Sequence, residues 1–149
     1  MGISLENIAA GLANTTLPGM RGKIYNYNGA VILNDAYNAS PESMRAVIEM
    51  FAESVFGKAV LLLGAMLELG ENSKLEHRRI LELARRRFPD AVIITVGDMF
   101  QDIPGADHHF AVSSDAAPMM EKLCVSGVSV LVKGSRGTAL EKALPQERS

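Results

Sequence analysis

Apolar residues recur along this chain in two alternating rhythms. Near-continuous runs over residues 31–33, 59–63, 91–96 (broken by Thr95) and 128–132 (broken by Ser129) have the form of strands buried on both faces of a sheet. Between them the apolar positions fall three and four apart. Met44, Val47, Ile48, Phe51 and Val55 make one helical stripe, and Ile80, Leu81 and Ala84, with His77 on the same face, begin another. Asn28-Gly29 predicts a two-residue hairpin that sets a first strand, 23–27, antiparallel beside the run that follows it.

The punctuation fits those rhythms. Ser40 is placed to cap the first of these two helices, with Pro41 at the first helical position, where its missing N–H costs nothing. Gly57 ends that helix. Ser73 and Glu76 predict a capping box for the next, which runs to Arg87 and closes on Arg85-Arg86-Arg87. Three arginines there suit the negative end of a helix dipole as a solvated helix end; a nucleic-acid patch is the sharper alternative. A weak strand is expected over 110–112, then a helix capped by Ser113 or Ser114 with Pro118 in its first turn or two. A short helix is expected to about Leu144, and upstream another over 5–12 and a bend over 18–22.

Strands alternating with helices predict an α/β domain: a mostly parallel, doubly wound, Rossmann-like sheet of about six strands, helices on both faces, and an antiparallel hairpin at its N-terminal edge. Residues 1–20 read as a linker or the remnant of something upstream, and 21–149 as one domain.

Composition narrows the class. The 149 residues are 48% hydrophobic and 21% charged, with a formal charge of −2, so nothing calls for nucleic acid. The single cysteine, Cys124, lies in an apolar setting that favours buried filler over a nucleophile, and it fits a reducing compartment. No apolar run approaches about 20 residues and no signal peptide is evident, so neither a membrane span nor export is expected. Met1-Gly2 lacks the Ser or Thr that myristoylation needs, having Glu6 there. The expected location is cytoplasmic.

In such a sheet every strand-to-helix loop opens on one edge, which therefore collects Asp35, Tyr37 and Asn38, then Glu68, Asp98, residues 113–115, and Lys133 to Arg136. The opposite edge has only ordinary turns, Gly57-Lys58 and Pro89-Asp90. Asp35 ends a buried strand and needs a partner. That partner is either the amides of its own helix or an Asx turn, or else a ribose hydroxyl, a metal-bound water or a cation. Tyr37 either stacks on a base or roofs the sheet, and Asn38 either shapes the turn or reads a ligand edge. His77 is a half-buried, satisfied histidine or else a proton carrier. His108-His109 point to opposite sides of an extended chain and make a poor metal site. Lys133, Ser135 and Arg136 concentrate anion-binding groups at a helix start. Neither G-x-x-x-x-G-K-[ST] nor G-x-G-x-x-G occurs, so no complete nucleotide-hydrolysing engine is encoded.

Four stretches carry a family likeness: Pro18-Gly19-Met20-Arg21; the run from Asn34 to Met44 with Asp35-Ala36-Tyr37-Asn38-Ala39-Ser40-Pro41; Gly64-Ala65-Met66-Leu67-Glu68-Leu69-Gly70; and Lys133-Gly134-Ser135-Arg136-Gly137. Together they resemble the C-terminal domain of a Mur ligase, over nearly the whole chain. The second and fourth resemble the branch that adds D-alanyl-D-alanine to UDP-N-acetylmuramoyl-tripeptide.

The resemblance implies a three-domain bacterial enzyme of peptidoglycan synthesis that uses ATP and Mg²⁺. The tripeptide carboxylate is phosphorylated, and the dipeptide amine attacks the acyl phosphate. It implies that the P-loop and the metal ligands belong to the central domain, with no metal site in this piece, and that this piece alone is inactive. The partners it implies are the two substrates and the central and N-terminal domains of the same enzyme. By the same likeness Arg21 approaches the γ-phosphate, Asp35, Tyr37 and Asn38 line the ribose and adenine, and Lys133, Ser135 and Arg136 face the second substrate or the acyl phosphate. Glu68 and His77 are further candidates. One departure stands out: the family usually has Asp where this chain has Ala65. The alternatives are a stand-alone nucleotide- or peptide-binding module, and a related amide ligase of the folylpolyglutamate or cyanophycin synthetase type.

Overall fold

The computed structural model describes residues 23–35, 39–55, 57–67 and 69–145. The expected helix over 5–12 and the bend over 18–22 lie outside the described residues, as do Arg21, Tyr37, Asn38 and Glu68.

Strands β1 (Lys23–Tyr27) and β2 (Ala30–Asp35) form the expected hairpin, with Tyr27 opposite Ala30 across a two-residue turn. Asn28 and Gly29 both take positive φ, +53° and +84°, as the twist of such a tight hairpin demands. The chain then alternates: α1 (Pro41–Ser54), β3 (Lys58–Gly64), α2 (Ser73–Arg87), β4 (Val92–Val96), β5 (His108–Phe110), α3 (Ala117–Leu123) and β6 (Val128–Lys133). The strands lie in the order β1-β2-β6-β3-β4-β5, all parallel from β2 onward, so the last strand in sequence fills the middle of the sheet.

Both faces of the sheet are covered, which is why its central strands read as near-continuous apolar runs. Val31, Leu33, Leu61, Leu63, Ile93 and Leu131 pack with Met44, Ile48 and Phe51 of α1 and Ile80 and Leu81 of α2. Their neighbours Ile32, Val60, Leu62, Ile94, Val130 and Val132 turn the other way, onto Met120, Cys124 and Leu140. Cys124 is fully buried, and burial pushes its thiol up to about 11, as filler requires.

Four expectations need correction. The fourth parallel strand is His108–Phe110 rather than 110–112, because Asp107 N–H already joins the Ile93 carbonyl and Ile94 pairs with His108. The apolar Val112 that suggested the later span is more than half exposed. Ser73 and Glu76 make no capping box: a 3₁₀ turn, Gly70–Asn72, runs straight into α2, and Ser73 is its first residue. The third helix starts at Ala117 without a side-chain cap, since Ser113 and Ser114 lie in a 3₁₀ turn, Ser113–Ala116, that runs into it, and the Ser113 hydroxyl donates to the Thr138 carbonyl. After β6 the chain forms two 3₁₀ turns, Arg136–Thr138 and Leu140–Ala143, parted by Ala139 in the left-handed region, instead of a helix.

The end of α2 is also less solvated than its three arginines imply. Arg85 donates to the carbonyls of Ala91 (2.9 Å) and Gly105 (2.9 Å) and to Asp107 Oδ2 (2.7 Å), tying the helix to the β4–β5 connection. Arg87 pairs with Glu49 on α1 at 3.1 Å.

Candidate functional site

Because β2 and β6 are parallel neighbours, the loops after them leave the sheet at the same edge. Their last residues, Asp35 and Lys133, stand directly opposite one another. Both lie at odd positions, on the side of the sheet that α1 covers, in step with Leu33 and Leu131. Lys133 Nζ donates to Asp35 Oδ2 at 2.9 Å, and each side chain is only 1% exposed.

Directly above this pair begins α1. Ser40 Oγ accepts the Ser43 N–H at 3.1 Å, and the Ser40 N–H donates to Ser43 Oγ at 2.9 Å, so the helix start is held by a reciprocal cap. Asp35, Lys133, Ser40, Glu42 and Ser43 share the walls of a cavity of about 200 Å³ between sheet and helix.

The turn after β6 is held by close backbone approach. A Cβ on Gly134 would lie 2.7 Å from Gly64 Cα and 2.7 Å from Leu140 Cδ1, so only glycine lets the ends of β6 and β3 meet. The next residue, Ser135, donates its N–H to the Ala65 carbonyl (3.2 Å), and its own carbonyl accepts the Thr138 hydroxyl (2.6 Å). Its side-chain oxygen is buried and has no hydrogen-bond partner among the described residues. A buried hydroxyl without a partner is costly to keep. Arg136 follows, exposed, at the head of the 3₁₀ turn.

Across β3, Ala65 sits where three strand ends converge. Its N–H donates to the Val96 carbonyl (2.9 Å), its carbonyl accepts from Ser135, and its methyl lies where a Cβ on Gly97 would be only 2.8 Å away. It lines a second cavity of about 500 Å³ on this edge, with Asp98, Ser113, Thr138 and Lys142.

His77, on α2, is fully buried rather than half-buried. Its Nε2 accepts the Met66 N–H at 2.9 Å, and Nδ1 lies 2.6 Å from the Ser73 carbonyl. A carbonyl can only accept, so Nδ1 carries the proton and the ring is neutral. Burial lowers its pKa below the usual 6.5, against the opposing pull of the Ser73 carbonyl and of Glu76.

His108 and His109 sit on β5, with His109 Nδ1 2.9 Å from Thr95 Oγ1. Among the described residues no group of three or more His, Cys, Asp or Glu side chains could hold a metal ion. No helix among them is long and apolar enough to cross a membrane. The opposite edge also has a hollow, about 360 Å³ between Val55, Lys58, Arg87, Phe88 and Asp90, but Arg87 there is paired with Glu49, and among the described residues that line it no buried side-chain polar atom is left without a partner.

The Asp35–Lys133 pairing could not be read from the chain, where the two residues belong to separate motifs 98 positions apart. Their shared position as the last residue of a buried strand was the available signal.

Comparison with known proteins gives this edge a context. A model of the family described as Mur ligase, glutamate ligase domain, matches residues 20–146. The UDP-N-acetylmuramoyl-tripeptide–D-alanyl-D-alanine ligase of Escherichia coli is 34% identical over 97% of this chain and 33% of its own length. The enzyme of the same name from Bacillus subtilis is 36% identical over 95% of this chain and 33% of its own. Among solved structures, the MurF ligase of Thermotoga maritima in complex with ADP superposes with a TM-score of 0.70 at 28% identity, covering 87% of this chain and 30% of that one. The chain thus spans about a third of the length of these relatives. With the sheet order, the two glycine-packed strand ends and a match over residues 20–146, the chain belongs to the Mur ligase family.

Proposed function

We propose that this chain is the part of an ATP-dependent peptide ligase that closes over the nucleotide and receives D-alanyl-D-alanine for addition to UDP-N-acetylmuramoyl-tripeptide in peptidoglycan synthesis. The observation that carries the reading is the buried Asp35–Lys133 pair, with the Ser135 hydroxyl two residues on lacking a hydrogen-bond partner among the described residues, at the edge where a strand-end ligand is met. The names of the E. coli and B. subtilis relatives support the substrates, and the ADP in the Thermotoga structure supports the nucleotide.

In this reading ATP transfers its γ-phosphoryl group to the tripeptide carboxylate. The dipeptide amine then attacks the acyl carbon, the C–N bond forms, and phosphate leaves with the acyl C–O bond broken. Little covalent chemistry falls to the protein, whose work is to position the reactants and offset charge. Lys133, Ser135 and Arg136 offer one ammonium, one hydroxyl and one guanidinium to the dipeptide carboxylate or the acyl phosphate. Asp35 holds the Lys133 ammonium in place and, with Tyr37 and Asn38, faces the ribose and adenine. Arg21 is assigned to the γ-phosphate, a role in which an arginine is worth about 10³–10⁵ in rate elsewhere. Glu68 is a further candidate for the same site. The P-loop and the Mg²⁺ ligands are assigned to the central domain, the other domains of the enzyme being this chain's partners, and the reaction to the cytoplasm.

The test replaces the corresponding third of the E. coli ligase with this chain and follows phosphate release. Release that needs ATP, the tripeptide and D-alanyl-D-alanine together supports the assignment; release with glutamate as acceptor instead overturns it. Calorimetry on the chain alone gives a second measure. Half a cleft binds D-alanyl-D-alanine at millimolar levels, about −4 kcal/mol, whereas tight binding without turnover would mark a stand-alone sensing module.

A further inference from the structure

Two hydrogen bonds in series run from the core of α2 to the rim. The His77 ring accepts the Met66 N–H at 2.9 Å, and the residue before Met66, Ala65, accepts the Ser135 N–H at 3.2 Å. The imidazole itself is held on three sides: by the Ser73 carbonyl at Nδ1, by Met66 at Nε2, and by the ring of Phe100, edge to face with centroids 4.7 Å apart. Met66 is fully buried, so its amide has no solvent to turn to if the ring withdraws.

We propose that His77 is a positioning residue for the substrate rim: locked as its Nδ1–H tautomer, it fixes the loop after β3 through Met66, and through Ala65 it fixes the turn that presents Ser135 and Arg136.

The geometry makes this connection sensitive to protonation. A proton on Nε2 would face the Met66 N–H donor to donor, and the link would open. Glu76, beside His77 on α2, is the charged group that acts on the ring, and its carboxylate is engaged by Arg79 (3.3 Å) and approached by Arg45 of α1 (3.8 Å). The groups contributed by the β3 loop and the turn after β4, Met66 N–H and the Phe100 ring, carry no charge. With little to stabilise an imidazolium, the neutral pin persists below the usual range of histidine.

The importance of the rim rests on the ligase reading given above, but the link itself is testable without any ligand. In the full chain, amide NMR signals of Met66 and Ser135 are followed through an acid titration, and their hydrogen exchange is compared in the wild type, His77→Gln and His77→Leu. The expected result is that both amides shift with one midpoint, that of His77, and that both exchange at least tenfold faster in His77→Leu. His77→Gln, whose side-chain oxygen reaches the Nε2 position, restores most of the protection. Should His77→Leu not fold, the wild-type titration and His77→Gln still decide. A Ser135 amide indifferent to His77, while Met66 responds, would overturn the proposal, as would His77→Gln behaving no better than leucine. If D-alanyl-D-alanine fails to bind while the two amides remain linked, the ligase reading falls and the positioning role stands.

Discussion

The carboxylate of Asp35 and the ammonium of Lys133, 98 residues apart in sequence, form a buried ion pair between two neighbouring strand ends. Charges placed this deep are poor stabilisers, because removing both from water costs nearly what their attraction returns. Their retention at the rim is more readily understood as preparation for a charged ligand than as reinforcement of the sheet.

That argument separates single from double substitutions. Lys133→Met or Asp35→Leu alone removes half of a buried ion pair and should destabilise the chain by about 3–5 kcal/mol. The double variant should recover most of the loss while binding no D-alanyl-D-alanine. Urea denaturation of the three variants, with calorimetry on the double, checks both halves; a double variant as unstable as the worse single would contradict it.

Ser135 should show the opposite trade. Its buried hydroxyl has no partner among the described residues, so Ser135→Ala is expected to leave stability unchanged or to raise it by about 1 kcal/mol. Binding or turnover in the assembled ligase should fall nonetheless. A clear drop in Tm would mean that the hydroxyl is satisfied in solution.

Gly134 is constrained by space. Gly134→Ala places a methyl 2.7 Å from Gly64 Cα, where the nearest atom is backbone and cannot swing aside. Overpacking of that kind costs about 1–3 kcal/mol and should also displace the Ser135 turn. Thermal unfolding measures the first effect, and the amide shift of Ser135 the second.

Asp107 links stability to acid. Partial burial tends to raise its carboxyl, but the Ile93 N–H, the Arg85 guanidinium and His108 outweigh it and hold the pKa below the ordinary 3.8. The folded state therefore takes up its proton later than the unfolded one. The contribution is complete above about pH 4 and is lost as pH falls through the lower, folded value. Arg85→Met should lower Tm at neutral pH and flatten the acid limb of a Tm–pH curve below about pH 4.

The hairpin, the strand runs and the first helix were legible in sequence because each depends on neighbours a few residues apart. Asn28-Gly29 can satisfy two positive φ angles by itself, and Ser40-Pro41 begins a helix with whatever follows. Ser73 and Ser113 misled for a related reason. Both have cap chemistry, but each already lies inside a helical turn: Ser73 is the first residue of α2, entered straight from the turn Gly70–Asn72, and Ser113 opens the turn Ser113–Ala116 that leads into α3. A cap acts only from the residue just before the first turn, and where that turn begins is set by packing well beyond the local sequence.

By itself the chain determined its class, its alternation of strand and helix, and which loops collect on one edge, since apolar periodicity and turn chemistry are short-range properties. Only the tertiary structure decided that β6 enters between β2 and β3. That insertion sets Lys133 against Asp35, Gly134 against Gly64, and Ser135 against Ala65. Strand order is chosen by the summed burial of two whole faces, and no residue carries that sum in its own neighbourhood.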